Sequence, residues 1–132
     1  MPQVRPAQYL PNERVWLLRT APDVAWEILV GGDSSAPDPA QVALVEAVLP
    51  TIEELVAKAK SHLDRFVDRA RFAQDHDWYF EGLATDTAST QPETRFRLEF
   101  SNDGDVYGYW MVTFTYSQRG AFPREITRLD QG

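Results

Sequence analysis

The chain has 132 residues, of which 43% are hydrophobic and 25% are charged, a composition typical of one globular domain. Its formal net charge of −7 disfavours binding to nucleic-acid backbones and favours basic partners. The absence of cysteine excludes disulfides, thiolate nucleophiles and cysteine-bound zinc. No apolar run approaches the ~18 residues of a membrane span, and the N-terminus lacks a signal-peptide pattern, so we expect a cytoplasmic protein without membrane contact.

The first part of the chain predicts an arm followed by a β-hairpin. Residues 1–13 carry three prolines and are expected to form an N-terminal arm. Residues 14–20 and 24–30 are short runs rich in strand formers, and Pro22 between them favours a tight turn. The two runs are therefore expected to pair as an antiparallel hairpin.

A long amphipathic segment begins at Asp38. Asp38 is expected to cap a helix, Pro39 to occupy its first position and Gln41 to close a capping box. Apolar residues then recur at helical spacing as far as Ala70, which predicts one core-facing side. Pro50 interrupts the series, so we expect either a kinked helix or a short helix followed by a long one, with the continuous apolar phase slightly favouring the kink.

The second half of the chain contains strand-like runs at 78–84, 94–100, 106–116 and, more briefly, 122–129. The element order is β-β-α-β-β-β, with a sixth strand if the last run pairs, and there is no βαβ alternation. We therefore predict a single α+β domain over residues 1–132. In it, one long helix, kinked if Pro50 does not end it, packs on one face of an antiparallel sheet of five or six strands.

Residues 106–116 form the most apolar strand, and it has bulky side chains on both faces. Strand alternation assigns Trp110, Val112 and Phe114 to the core. The opposite face carries Tyr107, Tyr109, Met111, Thr113 and Thr115. Because one helix covers only one side of a sheet, this second face has no obvious cover within the chain.

Three explanations are open for the second face. The N-terminal arm folds over it through Tyr9 and Leu10, its residues pack among themselves, or it is an interface. Tyrosine, tryptophan and methionine are enriched at protein interfaces, which gives the third explanation the same weight as the other two together.

The titratable side chains do not form a recognisable catalytic or metal-binding motif. Asp75, His76 and Asp77 are the densest set of potential metal ligands, but in an extended segment His76 points away from the two aspartates. Residues 102–105 lack the ligand spacing of an EF-hand loop and match a hairpin turn. We therefore predict no catalytic residue, no bound metal and no cofactor.

The C-terminal strands carry a loose resemblance to known proteins. The run from Phe100 to Phe114, followed by residues 122–128, resembles small uncharacterised bacterial α+β proteins, some of which are immunity proteins of polymorphic toxin systems. The resemblance implies an acidic inhibitor that binds a basic toxin. Immunity proteins share no catalytic residues, so the resemblance assigns none here.

Our leading hypothesis is a non-enzymatic acidic protein-binding domain, with an immunity-type inhibitor of a basic toxin as its most concrete form. The partner is expected to be another protein with a basic surface, or a second copy of the chain, and not a nucleic acid or a membrane. The predicted binding residues are Tyr107, Tyr109, Met111, Trp78, Tyr79, Asp75, Asp77, Asp103 and Asp105.

Two alternatives remain open. The first is a small-molecule binder or hydrolase with a cleft between helix and sheet, where His62, His76 and Glu81 would converge. A pair such as Glu81 and Glu99 would serve hydrolysis, although carboxylates on neighbouring strands are more often solvated or paired with arginine. The second alternative is a homodimer that closes the tyrosine-bearing face on itself.

Overall fold

The computed structural model describes residues 4–20, 23–67, 77–85 and 94–130. The strands are β1 (Val4–Leu10), β2 (Val15–Thr20), β3 (Glu27–Gly31), β4 (Trp78–Thr85), β5 (Arg95–Asn102), β6 (Gly108–Ser117) and β7 (Gly120–Asp130). The helices are α1 (Pro39–Val48) and α2 (Ile52–Phe66), joined by a 3₁₀ turn at Leu49–Thr51. These elements confirm the predicted α+β class.

The strands form one sheet in chain order, and every neighbouring pair is antiparallel except β3 and β4. These two strands can run parallel because the chain between them, which contains α1 and α2, crosses back to the end of the sheet at which β3 begins. The prediction of five or six antiparallel strands is thus corrected to seven strands in the described part of the chain, with one parallel pair.

The additional strand lies within the predicted N-terminal arm. β1 pairs with β2 at one edge of the sheet, where Pro6 is tolerated because an edge strand has neighbours on one side only. The register shifts between Pro6 and Gln8. β7 forms the other edge, and its Pro123 also adjoins a register shift. Both edges therefore combine a proline with a bulge, which discourages pairing with further strands.

The start of α1 is as predicted, but Gln41 has a different role. The Asp38 carboxylate accepts hydrogen bonds from the backbone N–H groups of Ala40 (2.9 Å) and Gln41 (3.3 Å), and proline occupies the first turn. The side-chain oxygen of Gln41 accepts instead from the backbone N–H of Gly31 (2.7 Å) and the hydroxyl of Thr85 (2.5 Å). Gln41 therefore ties α1 to β3 and β4.

Pro50 separates two helices. It lies in the 3₁₀ turn between α1 and α2, so the chain adopts the second of the two predicted arrangements, a short helix followed by a longer one. The Thr51 hydroxyl donates to the backbone carbonyl of Val48 (3.3 Å) and does not cap α2. The apolar phase continues across the turn, so both helices bury Val48, Leu55 and Leu63 in the same core.

The core lies between the helices and one face of the sheet. Its strand residues include Ile28, Leu83 and Leu98, which are at most 1% exposed. The aromatic rings of Phe96 and Phe114 are stacked, with centroids 5.1 Å apart. Burial of each such side chain contributes roughly 1.5–3 kcal/mol, so this layer supplies much of the driving force for folding. Neither helix in the described residues has the length and apolar character needed to cross a bilayer.

Candidate binding face

The sheet face opposite the helices, here called the open face, is the candidate site. Its exposed or partly exposed members include Glu27, Leu29, Tyr79, Glu81, Arg97, Ser101, Tyr109, Thr127 and Leu129, and Arg19 and Arg95 lie on the same face nearer the ends of their strands. Strand register brings them together: Leu29 pairs with Ala84, which pairs with Arg97, while Tyr109 pairs with Leu129. Both helices pack on the other face, so no helix among the described residues lies over this one.

The parity predicted for β6 is confirmed. Trp110, Val112 and Phe114 are 8%, 0% and 0% exposed and belong to the core. On the opposite face Tyr109 is half-buried and Met111 is 7% exposed. Tyr107 lies in the turn before β6 and is 63% exposed. Tyr107 and Tyr109 are therefore accessible to a partner, whereas Met111 is covered by neighbouring side chains.

The N-terminal arm does not account for the open face. Tyr9 lies in β1 and its ring contacts that of Trp16, with centroids 5.3 Å apart, and Leu10 pairs with Val15. Both residues are thus held at the far edge of the sheet, five strands from β6. Of the three explanations, the arm is excluded for the described residues 4–10.

A polar network organises the centre of the open face. Glu99 is 8% exposed, and its carboxylate accepts hydrogen bonds from Nε of Arg97 (3.1 Å) and from the hydroxyl of Tyr109 (3.2 Å). Partial burial and the negative charge of Glu99 raise the pKa of Tyr109, with further contributions from Glu81 and Glu27. The phenol is therefore a neutral hydrogen-bond donor held in one orientation within an acidic environment.

The predicted residues Tyr79, Asp77 and Asp103 lie beside this network. Tyr79 is 47% exposed, and its hydroxyl donates to Asp103 (3.2 Å), which raises the pKa of Tyr79. Asp77 is exposed, and its carboxylate accepts from the backbone N–H of Trp78 (2.8 Å). One end of the open face therefore combines tyrosine rings with carboxylates.

Two predicted binding residues are placed away from the open face. Trp78 is 1% exposed, and its indole N–H donates to Asp64 (3.1 Å) on α2, so it supports the core. Asp105 accepts from the indole N–H of Trp110 (2.9 Å) and pairs with Arg128 on the helix side of the sheet. Asp75 lies outside the described residues.

Sequence reasoning missed Leu129. It is 49% exposed and pairs directly with Tyr109, so it extends the apolar part of the open face to the edge of the sheet. Its position depends on the register of β7, which shifts by one residue between its pairings with Thr113 and Phe114. A one-residue shift moves side chains to the other face, so alternation within β7 alone does not reveal this neighbour.

The structure brings only part of the hydrolase alternative together: Glu81 and Glu99 lie on the open face of the neighbouring strands β4 and β5, whereas His62 lies on α2, on the other side of the sheet. Glu81 is on the open face and accepts from the Ser101 hydroxyl (2.9 Å), and Glu99 pairs with Arg97, so each carboxylate has an ordinary sheet partner. His62 is half-buried on α2 and contacts Phe66, with ring centroids 4.7 Å apart. His76 lies outside the described residues. In the described ranges, no group of three acidic or histidine side chains is close enough to bind a metal ion.

The residues 102–105 form the predicted turn. The backbone N–H of Asp105 donates to the carbonyl of Asn102 (2.9 Å), and the side-chain oxygen of Asn102 accepts from the N–H of Gly104 (2.8 Å). This turn fixes Asp103 at one end of the open face and Asp105 on the helix side.

Comparisons with models of protein families, with curated proteins and with solved structures gave no match. The resemblance to immunity proteins therefore stays a prediction from the sequence.

Proposed function

We propose that this chain is a non-enzymatic, cytoplasmic protein-binding domain that holds a basic partner protein on its open face, with neutralisation of a basic toxin as the most specific form of this role. The observation that carries the proposal is the combination of accessible apolar side chains and carboxylates on a face that no helix of the described residues covers. Tyr79, Tyr109 and Leu129 supply the apolar surface. Glu27, Glu81 and Asp103 supply negative charge beside it.

The electrostatic part of the argument concerns approach and orientation. The net charge of −7 attracts a basic protein over a distance of about one Debye length, ~8 Å at physiological salt. Glu27 and Glu81 then offer exposed carboxylates to lysine or arginine side chains of the partner. Charges at the edge of an interface mainly raise the association rate, so binding is expected to weaken as salt rises.

The apolar part of the argument concerns affinity. Tyrosine side chains are over-represented among residues that dominate binding energy, because they bury a large ring and still offer a hydroxyl. Tyr109 is already held by Glu99 and lies on β6, which is paired on both sides, so little side-chain entropy is lost when a partner covers it. The open face is therefore suited to rigid docking.

The test uses a partner captured by the purified chain from its native organism and then identified and purified. Binding of that protein is measured by calorimetry with the wild type, with Tyr109→Ala and with Leu129→Arg. The matched control is Ala43→Arg, because Ala43 is exposed on α1, on the other side of the sheet. We expect Tyr109→Ala and Leu129→Arg each to weaken binding by ~10-fold or more, and Ala43→Arg to leave it unchanged.

Three results would overturn the proposal. The first is a captured partner with an acidic surface, and the second is equal binding by Leu129→Arg and the wild type. The third is a stable dimer of the purified chain that dissociates on Leu129→Arg, since that result assigns the open face to a second copy. Sedimentation of the wild type and Leu129→Arg distinguishes this last case.

A further inference from the structure

A cavity lies on the helix side of the sheet, between the end of α2 and strand β7; we call it the α2–β7 cleft. Its volume is about 680 Å³. It is lined by His62, Phe66, Val67, Gly104, Asp105, Trp110, Arg124, Glu125, Ile126 and Arg128. A smaller hollow of about 370 Å³ adjoins it and shares His62. The larger volume lies within the range of ~300–1,000 Å³ that is usual for small-molecule sites.

The apolar walls of the cleft come from both layers of the fold. Phe66, the last residue of α2, is 63% exposed, an unusual position for an aromatic ring on a helix that otherwise buries its apolar side. Trp110 and Ile126 contribute the sheet side of the cleft. A flat or branched apolar group placed between these walls would remove Phe66 from water.

The charges that the described residues place around the cleft are on balance positive, whereas the whole chain is negative. Among the described residues, the cleft is lined by two cations, Arg124 and Arg128, and two carboxylates, Asp105 and Glu125, and the adjoining hollow adds the cations Lys58 and Arg65. In a chain of net charge −7, this is a local concentration of positive charge, and it favours an anionic ligand.

Arg128 is oriented for a second acceptor. Its Nε donates to one Asp105 oxygen (2.8 Å) and its Nη2 to the other (2.9 Å), which fixes the plane of the guanidinium. Asp105 is held in turn by the indole N–H of Trp110 (2.9 Å). A guanidinium has five N–H donors, so three of those on Arg128 are not used by Asp105. A preorganised fork of this kind suits a planar carboxylate or a sulfonate.

We propose that the α2–β7 cleft binds a small organic anion in which a carboxylate or sulfonate is attached to an aromatic or branched apolar body. The anionic group lies against Arg128 and Arg124, and the apolar body lies between Phe66, Trp110 and Ile126. This site is on the opposite side of the sheet from the open face, so it does not depend on the proposed protein partner.

The test follows the four indole N–H resonances of the chain by NMR during titration with 1-naphthaleneacetate, and with the neutral 1-naphthaleneacetamide as the matched probe. The resonance of Trp110 reports on the cleft and is assigned with Trp110→Phe. That of Trp16, which donates to the backbone carbonyl of Asp33 (2.7 Å), is the internal reference. We expect a saturable shift of Trp110 with none of Trp16, and an affinity for the acid that is ~10-fold higher than for the amide.

Variants separate binding from folding. Arg128→Gln should lower the affinity for the acid to that for the amide, while Arg119→Gln, in the turn between β6 and β7, should leave it unchanged. If Arg128→Gln does not fold, Phe66→Ala replaces it, because Phe66 is 63% exposed and its loss should weaken binding several-fold without unfolding the chain. The proposal is overturned if Trp110 shows no saturable shift, if acid and amide bind equally, or if neither variant weakens binding.

Discussion

The sharpest structural prediction concerns Gln41, to which the sequence pattern and the structure assign different roles. Gln41 is 5% exposed, and its side-chain oxygen accepts from the N–H of Gly31 and the hydroxyl of Thr85. Leucine at this position has a similar size but no acceptor, so Gln41→Leu leaves two buried donors unpaired. Each unpaired donor costs ~1–3 kcal/mol, and we expect a total loss of ~3 kcal/mol in the free energy of unfolding.

A double-mutant cycle identifies the Thr85 partner. Thr85→Val alone is expected to cost ~1 kcal/mol, because it removes one hydrogen bond and conserves volume. In the presence of Gln41→Leu the same change should cost nothing, or restore ~1 kcal/mol, because the unpaired hydroxyl is removed. The assay is urea unfolding followed by tryptophan fluorescence and circular dichroism, with Gln8→Leu on exposed β1 as the control for the substitution.

A capping-box role for Gln41 would predict different changes in the free energy of unfolding. If Gln41 only supported the start of α1, Gln41→Leu would cost ~1 kcal/mol, as helix-cap losses do, and the cost would add to that of Thr85→Val. Additive effects within ~0.3 kcal/mol would therefore refute the assignment of Gln41 as the link between α1, β3 and β4.

Three further predictions concern the open face. Because folding raises the pKa of Tyr109, the unfolded chain ionises this phenol at a lower pH than the folded chain does. The contribution of Tyr109 to the free energy of unfolding is therefore complete below pH ~10, the ordinary tyrosine pKa, and is lost as pH rises further. In ultraviolet titration of phenolate absorption, Tyr109→Phe should remove the last group to ionise; retention of that step would show that another tyrosine is responsible. Gly82→Ala should destabilise the chain by ~1–3 kcal/mol in urea unfolding, because the added Cβ would lie 2.9 Å from the backbone oxygen of Glu27 in the parallel pair; an unchanged midpoint would contradict the β3–β4 register. Tyr107→Ala should change stability by less than ~0.5 kcal/mol, because Tyr107 is 63% exposed, and a larger loss in thermal unfolding would mean that its ring is packed.

The features that sequence reasoning predicted correctly depend on short-range periodicity. Alternation placed Trp110, Val112 and Phe114 in the core because a strand has a fixed period of two. Asp38 is identifiable as a cap because its two partners, Ala40 and Gln41, follow it within three residues. Each of these inferences needs only a few neighbouring residues.

The features that were missed depend on partners distant in the chain. The hydroxyl that Gln41 accepts from is 44 residues away, on β4, so no local pattern identifies it. Pro6 predicts an arm because proline disfavours strands, but at the sheet edge its missing N–H need not pair. Leu129 joins Tyr109 only through the shifted register of β7. In all three cases, the role of the residue depends on contacts with elements that are distant in the sequence.

The residues of the open face were predicted only in part, because their grouping also depends on pairing between strands. Tyr79, Tyr109 and Asp103 were expected in one site, and the register of β4, β5 and β6 does bring them to one end of the sheet. Trp78 follows the same pattern of exposed aromatic residues in sequence, but its neighbour on the core face is Trp110, with ring centroids 5.6 Å apart. Adjacent residues on a strand point to opposite faces, so Trp78 and Tyr79 have different roles.

The most direct test of the central claim is photocrosslinking of the captured partner from defined positions on each side of the sheet. A photoreactive phenylalanine analogue replaces Tyr79, which is 47% exposed on the open face, or Ala47, which is exposed on α1. The proposal predicts a crosslink to the basic partner from position 79 and none from position 47. A crosslink from position 47 with none from position 79 would place the partner on the helices and contradict the assignment of the open face.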